Sequence, residues 1–244
     1  MKRVKYVIAN WKMNGSSKSL GLVKNINLHL LKKTTKSPKV IICPPFTLIK
    51  DLSTRNFRSL KFGGQDVHFK ESGAYTGSVS AGMLKDINAK YVIIGHSERR
   101  LYQNESISEI SEKIKTTLNN NLKVIFCLGE KASEIKKRST ILKNQLKSLP
   151  HNFNQNQIII AYEPVWAIGT GQTPSLKDIN SIHLKIRKLL KNYVGENNDK
   201  ISIIYGGSVN SSNSVDILGL KHVDGALVGG ASLKFNDFRK IIDS

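Results

Sequence analysis

Cysteine is scarce: only Cys43 and Cys127 occur in 244 residues, each beside an apolar run. Two such residues do not make a disulfide framework, and a reducing cytoplasm is the expected compartment. No apolar stretch is long enough to span a bilayer, and the opening MKRVKYVIANWK meets a charge after a few apolar residues, so neither a membrane span nor a signal peptide is expected. No Cys/His/Asp cluster has metal-ligand spacing, since His29, His68, His151, His183 and His222 are scattered, and no metal is expected. Acidic residues are also few, 18 against 38 Lys and Arg, which leaves a formal charge of +20. A chain this basic can hold nucleic acid or another anionic polymer through phosphate contacts. However, Lys32, Lys33, Lys113, Lys136, Lys137, Arg138, Lys185, Lys188 and Lys191 are spread through helix-like segments without interleaved aromatics, and read as solvated faces.

What is present is repetition. Apolar, strand-like runs recur at Val4 to Ala9, Val40 to Cys43, Leu60 to Gly63, Tyr91 to Ile94, Leu122 to Cys127, Gln157 to Tyr162, Ile201 to Tyr205 and Val223 to Val228. Helix-like segments separate them, with polar starts at Ser16-Ser17, Ser80, Glu105, Ala132-Ser133, Ser175, Ser211-Ser212 and Ser232. Strands that alternate with helices run parallel, and near-continuous apolar strands are covered on both faces. Eight such units in a chain of this length predict an α/β fold, a (β/α)8 barrel occupying residues 1–244 as one domain. The competing architecture is an open doubly wound sheet, but NWKMNGS comes after the first strand where that fold carries GxGxxG.

In such a barrel, chemistry belongs to the loops after the strands. Strand one ends in Asn10-Trp11-Lys12, strand four in Gly95-His96-Ser97-Glu98-Arg99, strand six in Glu163, strand seven in Gly206-Gly207-Ser208 and strand eight in Gly229-Gly230. Lys12 is placed to offset negative charge on a substrate oxygen, and Asn10 to orient it. His96 precedes a polar helix start, whose dipole favours neutral imidazole. Glu98 is either a helix-capping carboxylate or a partner of Lys12. The two glycine-rich turns aim backbone N–H groups at an anion, predicting a phosphate site. Glu163 is followed by PVWAIGTG, a loop stiff at Pro164, permissive at Gly169 and Gly171, and too apolar between to stay in water. Closed over a ligand, it would expel water and raise the basicity of the carboxylate. A base, a neutral acid, a cation and a phosphate grip fit proton transfer beside a carbonyl on a small phosphorylated molecule.

At these residues the chain resembles the triosephosphate isomerase family over its whole length: ANWKMNG at 9–15, GAYTGSVSAGML at 73–84, IIGHSERR at 93–100, AYEPVWAIGTG at 161–171, YGGSV at 205–209 and LVGG at 227–230. The resemblance implies a cofactor-free aldose–ketose isomerase of glycolysis and gluconeogenesis, interconverting dihydroxyacetone phosphate and glyceraldehyde 3-phosphate. It implies Glu163 as the proton carrier, His96 as the electrophile, Lys12 and Asn10 as substrate ligands, and Gly169, Ser208, Gly229 and Gly230 as the phosphate grip; these roles coincide with a standard worked example of enzyme mechanism. It also implies a homodimer in which the loop from Gly73 to Ser80 reaches the partner, with Thr76 near the partner's site. Ser78 stands where the family usually has a Glu that pairs with the arginine matching Arg99, so that ion pair between subunits is not expected here. Two other classes remain open: a different phosphate-gripping barrel enzyme, and a basic-surface binder of nucleic acid or anionic polymer.

Overall fold

The computed structural model describes residues 3–33, 37–151, 153–168 and 173–244. Within them, eight parallel strands succeed one another around a closed sheet: β1 Tyr6–Asn10, β2 Lys39–Cys43, β3 Leu60–Gly64, β4 Tyr91–Ile94, β5 Lys123–Leu128, β6 Ile158–Tyr162, β7 Ile203–Tyr205 and β8 Gly225–Val228. The (β/α)8 barrel read from the sequence is the fold observed. β1, β7 and β8 begin two residues later than their apolar runs. Val4 is exposed beyond the rim, and Gly225, at φ +142°, turns the chain immediately before β8 straightens.

The sheet closes where β1 meets β8, pairing Tyr6 with Gly225, Val7 with Ala226, Ile8 with Leu227 and Ala9 with Val228. Gly225 is required there, because a Cβ would lie 1.8 Å from the Tyr6 carbonyl oxygen. Alternation along each strand then divides the core in two. Ile8, Ile41, Ile93, Ile125, Ile159 and Ile204 belong to a cluster inside the barrel, while Val7, Val40, Val92, Val124, Ile158 and Ile203 pack outward with the helices. Both strand faces are therefore buried, which is why the runs are apolar throughout.

Helices fill the crossovers: α1 Leu20–Leu31, α2 Phe46–Ser53, α3 Ala81–Asp86, α4 Ser97–Tyr102, α5 Ile107–Asn119, α6 Arg138–Leu146, α7 Leu176–Val194, α8 Ser214–Leu218 and α9 Phe235–Asp243. Ser80 and Ser175 cap α3 and α7 by accepting the N–H of Met83 and Asp178. Ser106, one residue past the expected Glu105, caps α5. Ser211-Ser212 and Ser232 do not open helices: α8 starts at Ser214 behind Asn213, and Ser232 lies inside a 3-10 turn, Gly230–Leu233.

Two of the supposedly solvated cations are not solvated. Lys113 is buried in α5, paired with Glu105 and with Asp66 Oδ1 at 3.0 Å. Arg138 places Nε 2.8 Å from Glu130 and Nη1 2.9 Å from Asp178. Periodicity located their helices but not the carboxylates that the fold brings to them. No helix among the described residues is long and apolar enough to cross a membrane.

His183 of α7 is fully buried between Tyr162 and Tyr205, its Nδ1 donating to the Ile179 carbonyl at 2.8 Å. Burial lowers its pKa to about 4, so the folded chain keeps it neutral while an unfolded chain takes up a proton near pH 6.5. The unfolded state thus binds more protons as pH falls between these values, and stability drops by roughly 3 kcal/mol across that window. Urea unfolding of the wild type and of His183→Gln at about pH 7 and pH 4.5 measures this, with a shallower pH dependence expected for the variant.

Candidate active site

At the C-terminal mouth, one cavity of about 310 Å³ is lined by Asn10, Lys12, His96, Glu163, Ile168, Leu227 and the turns Gly206–Asn210 and Gly229–Ala231. A larger cavity of about 410 Å³ lies at the other end of the barrel. The reactive side chains choose between them: carboxylate, imidazole and lysine converge only on the smaller.

Glu163 begins where β6 ends and is almost fully buried. Its Oε2 accepts the backbone N–H of Ser97 at 3.0 Å, and its Oε1 lies 3.1 Å from His96 Nε2. Room for the side chain comes from Gly206, where a Cβ would sit 2.8 Å from Glu163 Cγ. The Cys127 thiol is pushed well up, by burial first and then by the Glu163 charge beside it, so it stays protonated.

His96 caps the first turn of α4, its Nδ1 accepting the Glu98 N–H at 3.3 Å. An accepting Nδ1 carries no proton, so the ring is the neutral imidazole with its hydrogen on Nε2, facing Glu163. Glu98 Oε2 also approaches Nδ1, at 3.7 Å, too far for a hydrogen bond and consistent with an unprotonated nitrogen.

Lys12 adopts a left-handed backbone, φ +54°, which costs a lysine about 1–2 kcal/mol. Two amides hold it there. Asn10 Oδ1 accepts the Lys12 N–H at 3.1 Å, and Gln65 Nε2 donates to the carbonyls of Lys12 and Cys43, each at 2.9 Å. The lysine stem passes against Gly229, where a Cβ would be 3.6 Å from Lys12 Cε, and its ammonium meets Glu98 Oε1 at 2.5 Å. Glu98 is thus a partner of Lys12, and it does not line the cavity.

The loop after Glu163 forms a 3-10 turn, Val165–Ala167. Buried Glu130 anchors it: its backbone carbonyl accepts the Val165 N–H at 3.0 Å, and its carboxylate accepts the Trp166 indole N–H at 3.2 Å and the Tyr162 hydroxyl at 3.0 Å. From the neighbouring turn, the Ser208 hydroxyl donates to the Ala167 carbonyl at 2.6 Å. Gly169 and Gly171 lie outside the described residues. Ser232 ties the second glycine turn, its N–H and hydroxyl both donating to the Gly229 carbonyl, and the space around Gly230 is open.

Asn10, Lys12, His96, Glu163, Ser208, Gly229 and Gly230 therefore meet around one cavity, although they come from five strands. Three contributors were missed. Gln65 comes directly after strand three and Glu130 two residues after strand five, and the rule that drew attention to Glu163 would have found them. The Ser97 contribution is a backbone N–H, which residue identity does not reveal. Thr76 stands apart, exposed in the loop 73–80, where the Tyr75 ring lies tilted against His68 with ring centroids 4.2 Å apart. Arg99 places its Nη2 2.7 Å from Asp66 and its Nε 3.4 Å from Glu105 within the chain.

A closed parallel barrel that gathers a carboxylate, a neutral imidazole and a lysine at its C-terminal mouth, between two glycine turns, is a barrel enzyme of acid–base chemistry. Residues 5–244 match the family model for triosephosphate isomerase, and the chain belongs to that family. A triosephosphate isomerase of Alkaliphilus oremlandii (strain OhILAs) is 42% identical over 246 residues, covering 97% of this chain and 98% of that protein. One from Brucella abortus biovar 1 (strain 9-941) is 43% identical over 242 residues, covering 98% and 95%. The crystal structure of triosephosphate isomerase from Bartonella henselae superposes with a TM-score of 0.89 at 38% identity, covering 98% of each chain.

Gln65 is expected to act through Lys12. Gln65→Leu leaves two carbonyls unpaired and frees the strained turn, and kcat/KM for isomerisation should fall about ten- to a hundredfold, mostly through KM. Steady-state kinetics checks this; unchanged KM would remove Gln65 from the positioning of Lys12.

Proposed function

We propose that this chain interconverts dihydroxyacetone phosphate and D-glyceraldehyde 3-phosphate through an enediolate. The observation that carries the reading is the Glu163 carboxylate, held between the Ser97 N–H and His96 Nε2 at the wall of a cavity shared with Lys12. Glu163 removes a proton from one substrate carbon and returns it to the neighbouring one. The Nε2–H of His96 polarises the carbonyl and moves protons between the two oxygens, as a neutral imidazole is able to do in both directions. Lys12, steered by Asn10 and paired with Glu98, offsets the negative charge that develops on the enediolate. Backbone groups of Ser208, Gly229 and Gly230, with Gly169, hold the phosphate, and no cofactor takes part.

The Ser97 N–H holds one oxygen of the carboxylate at 3.0 Å. Productive geometry requires Glu163 to exchange that partner for substrate. Movement of the apolar segment Val165–Ile168 over the cavity would exclude water and protect the enediolate phosphate from elimination. Ile168 already lines the cavity. In a coupled assay, Glu163→Gln should lower kcat about 10²–10⁴-fold with the fold retained; near-normal turnover would remove Glu163 as the base.

The functional unit is proposed to be a cytoplasmic homodimer, each protomer a single barrel domain. Met13, Phe46, Tyr75 and Tyr102 are exposed, Met13 at 96% and Tyr102 at 75%, and they come after the consecutive strands β1, β2, β3 and β4. Large exposed apolar side chains on the segments that follow four adjacent strands mark an association surface. The exposed loop 73–80, with Thr76, is the contact that would reach the partner. Sedimentation at micromolar concentration should show a dimer, and an active monomer would overturn the assignment.

A further inference from the structure

The C-terminal end of β5 loses its neighbour on one side. Pairing between β4 and β5 stops at Ile94 and Phe126, because Gly95, at φ +70°, turns the chain away from the sheet and brings His96 to the mouth. β5 itself continues to Leu128. Backbone groups of its even-numbered residues face β6: the carbonyls of Leu128 and Glu130 accept the N–H groups of Glu163 at 2.7 Å and Val165 at 3.0 Å. Those of its odd-numbered residues face β4, as the bond from the Lys123 N–H to the Lys90 carbonyl shows. Past Phe126, the carbonyl of Cys127 and both backbone groups of Gly129 are thus turned toward a strand that has left. Gly129 is buried, so an unpaired N–H or C=O there would be costly.

Side chains take the place of the missing strand. Arg100 Nη1 donates to the Cys127 carbonyl at 2.8 Å. Gln145, on α6, pairs with both groups of Gly129: its Oε1 accepts the N–H and its Nε2 donates to the C=O, each at 2.8 Å. An amide side chain is suited to this, since it carries the same donor and acceptor as a peptide. α6 is held in turn by buried Leu142 and Leu146 and by Arg138, which binds Glu130 and Asp178. What Gly129 supports is the segment of the base. A Cβ at position 129 would lie 1.7 Å from the Glu163 carbonyl oxygen and 2.5 Å from its carbonyl carbon, so the two backbones are in direct contact.

We propose that Gln145 is a positioning residue for Glu163: its amide stands in for the departed β4, fixes the Gly129 peptide and, through the contact of that peptide with residue 163, sets the point from which the carboxylate reaches the cavity. Its part in turnover rests on the assignment of Glu163 as the base. Gln145 itself does not line the cavity. The substrate ligands proposed on β1, β7 and β8 do not depend on it.

The test compares the wild type with Gln145→Met, of similar length and without an amide, and with Gln145→Glu, which still accepts the N–H but sets an anion against the carbonyl. Amide hydrogen exchange needs no substrate: exchange at Glu163 should be at least about tenfold faster in both variants, with Ile125 in the middle of β5 unmoved. In steady-state kinetics kcat should fall about tenfold while KM stays within about twofold. Inorganic phosphate should bind the variants as it binds the wild type, which reports that they fold, whereas a phosphate-bearing hydroxamate that mimics the enediolate should bind about tenfold more weakly. The proposal is overturned if exchange at Glu163 is unchanged or speeds up equally at Ile125, if kcat is unmoved, or if KM rises as much as kcat falls. A wild type that turns over no triose phosphate would instead sink the assigned reaction, and exchange at Glu163 would still decide whether Gln145 fixes that segment.

Discussion

Pairing of β1 with β8 is the constraint on which the catalytic mouth depends. It brings residue 12 against residue 229, which are more than two hundred positions apart in the chain, so that the lysine stem runs beside the second glycine turn. The seam tolerates no side chain at Gly225, because the two backbones meet there without room for a Cβ. An open sheet made of the same strands would keep every reactive residue at a strand end and still leave Lys12 remote from the turn after β8. Closure converts a series of strand ends into a ring.

Much of this was legible because a parallel barrel writes its geometry into the sequence. Each strand is apolar on both faces, and the residues at its C-terminal end lie at the mouth by topology alone, so Lys12, His96, Glu163 and the two glycine turns could be placed together before any coordinates. The features that were not legible depended on side chains meeting across the fold. Lys113 and Arg138 look like surface cations in a helical repeat, and only the tertiary structure brings Glu105, Asp66, Glu130 and Asp178 to them. The two possible roles of Glu98 were likewise separable only by the distance to Lys12. Backbone donors such as the Ser97 N–H are invisible to residue identity in principle, since every residue but proline carries one.

The mouth also shows how strain is distributed. A left-handed lysine and a buried glutamate are each unfavourable alone, and each is held by groups that belong to other strands: Gln65 and Asn10 for the first, Ser97 and His96 for the second. The supporting groups are themselves anchored to backbone, which limits the rearrangement that any single contact permits. On the outer side, Arg99 is occupied by Asp66 and Glu105 of its own chain. The proposed association through the loop 73–80 would therefore draw on apolar surface such as Tyr75 more than on charge.

The hydroxyl bond from Ser208 to the Ala167 carbonyl has a thermodynamic reach beyond its own energy. It joins the turn after β7 to the segment after Glu163, so the arrangement of one is conditional on the other. Any ligand that prefers the turn in a different posture must shift the segment's equilibrium, and by reciprocity the segment's position sets that ligand's hold. Occupancy and cover are in this sense two readings of a single linked equilibrium.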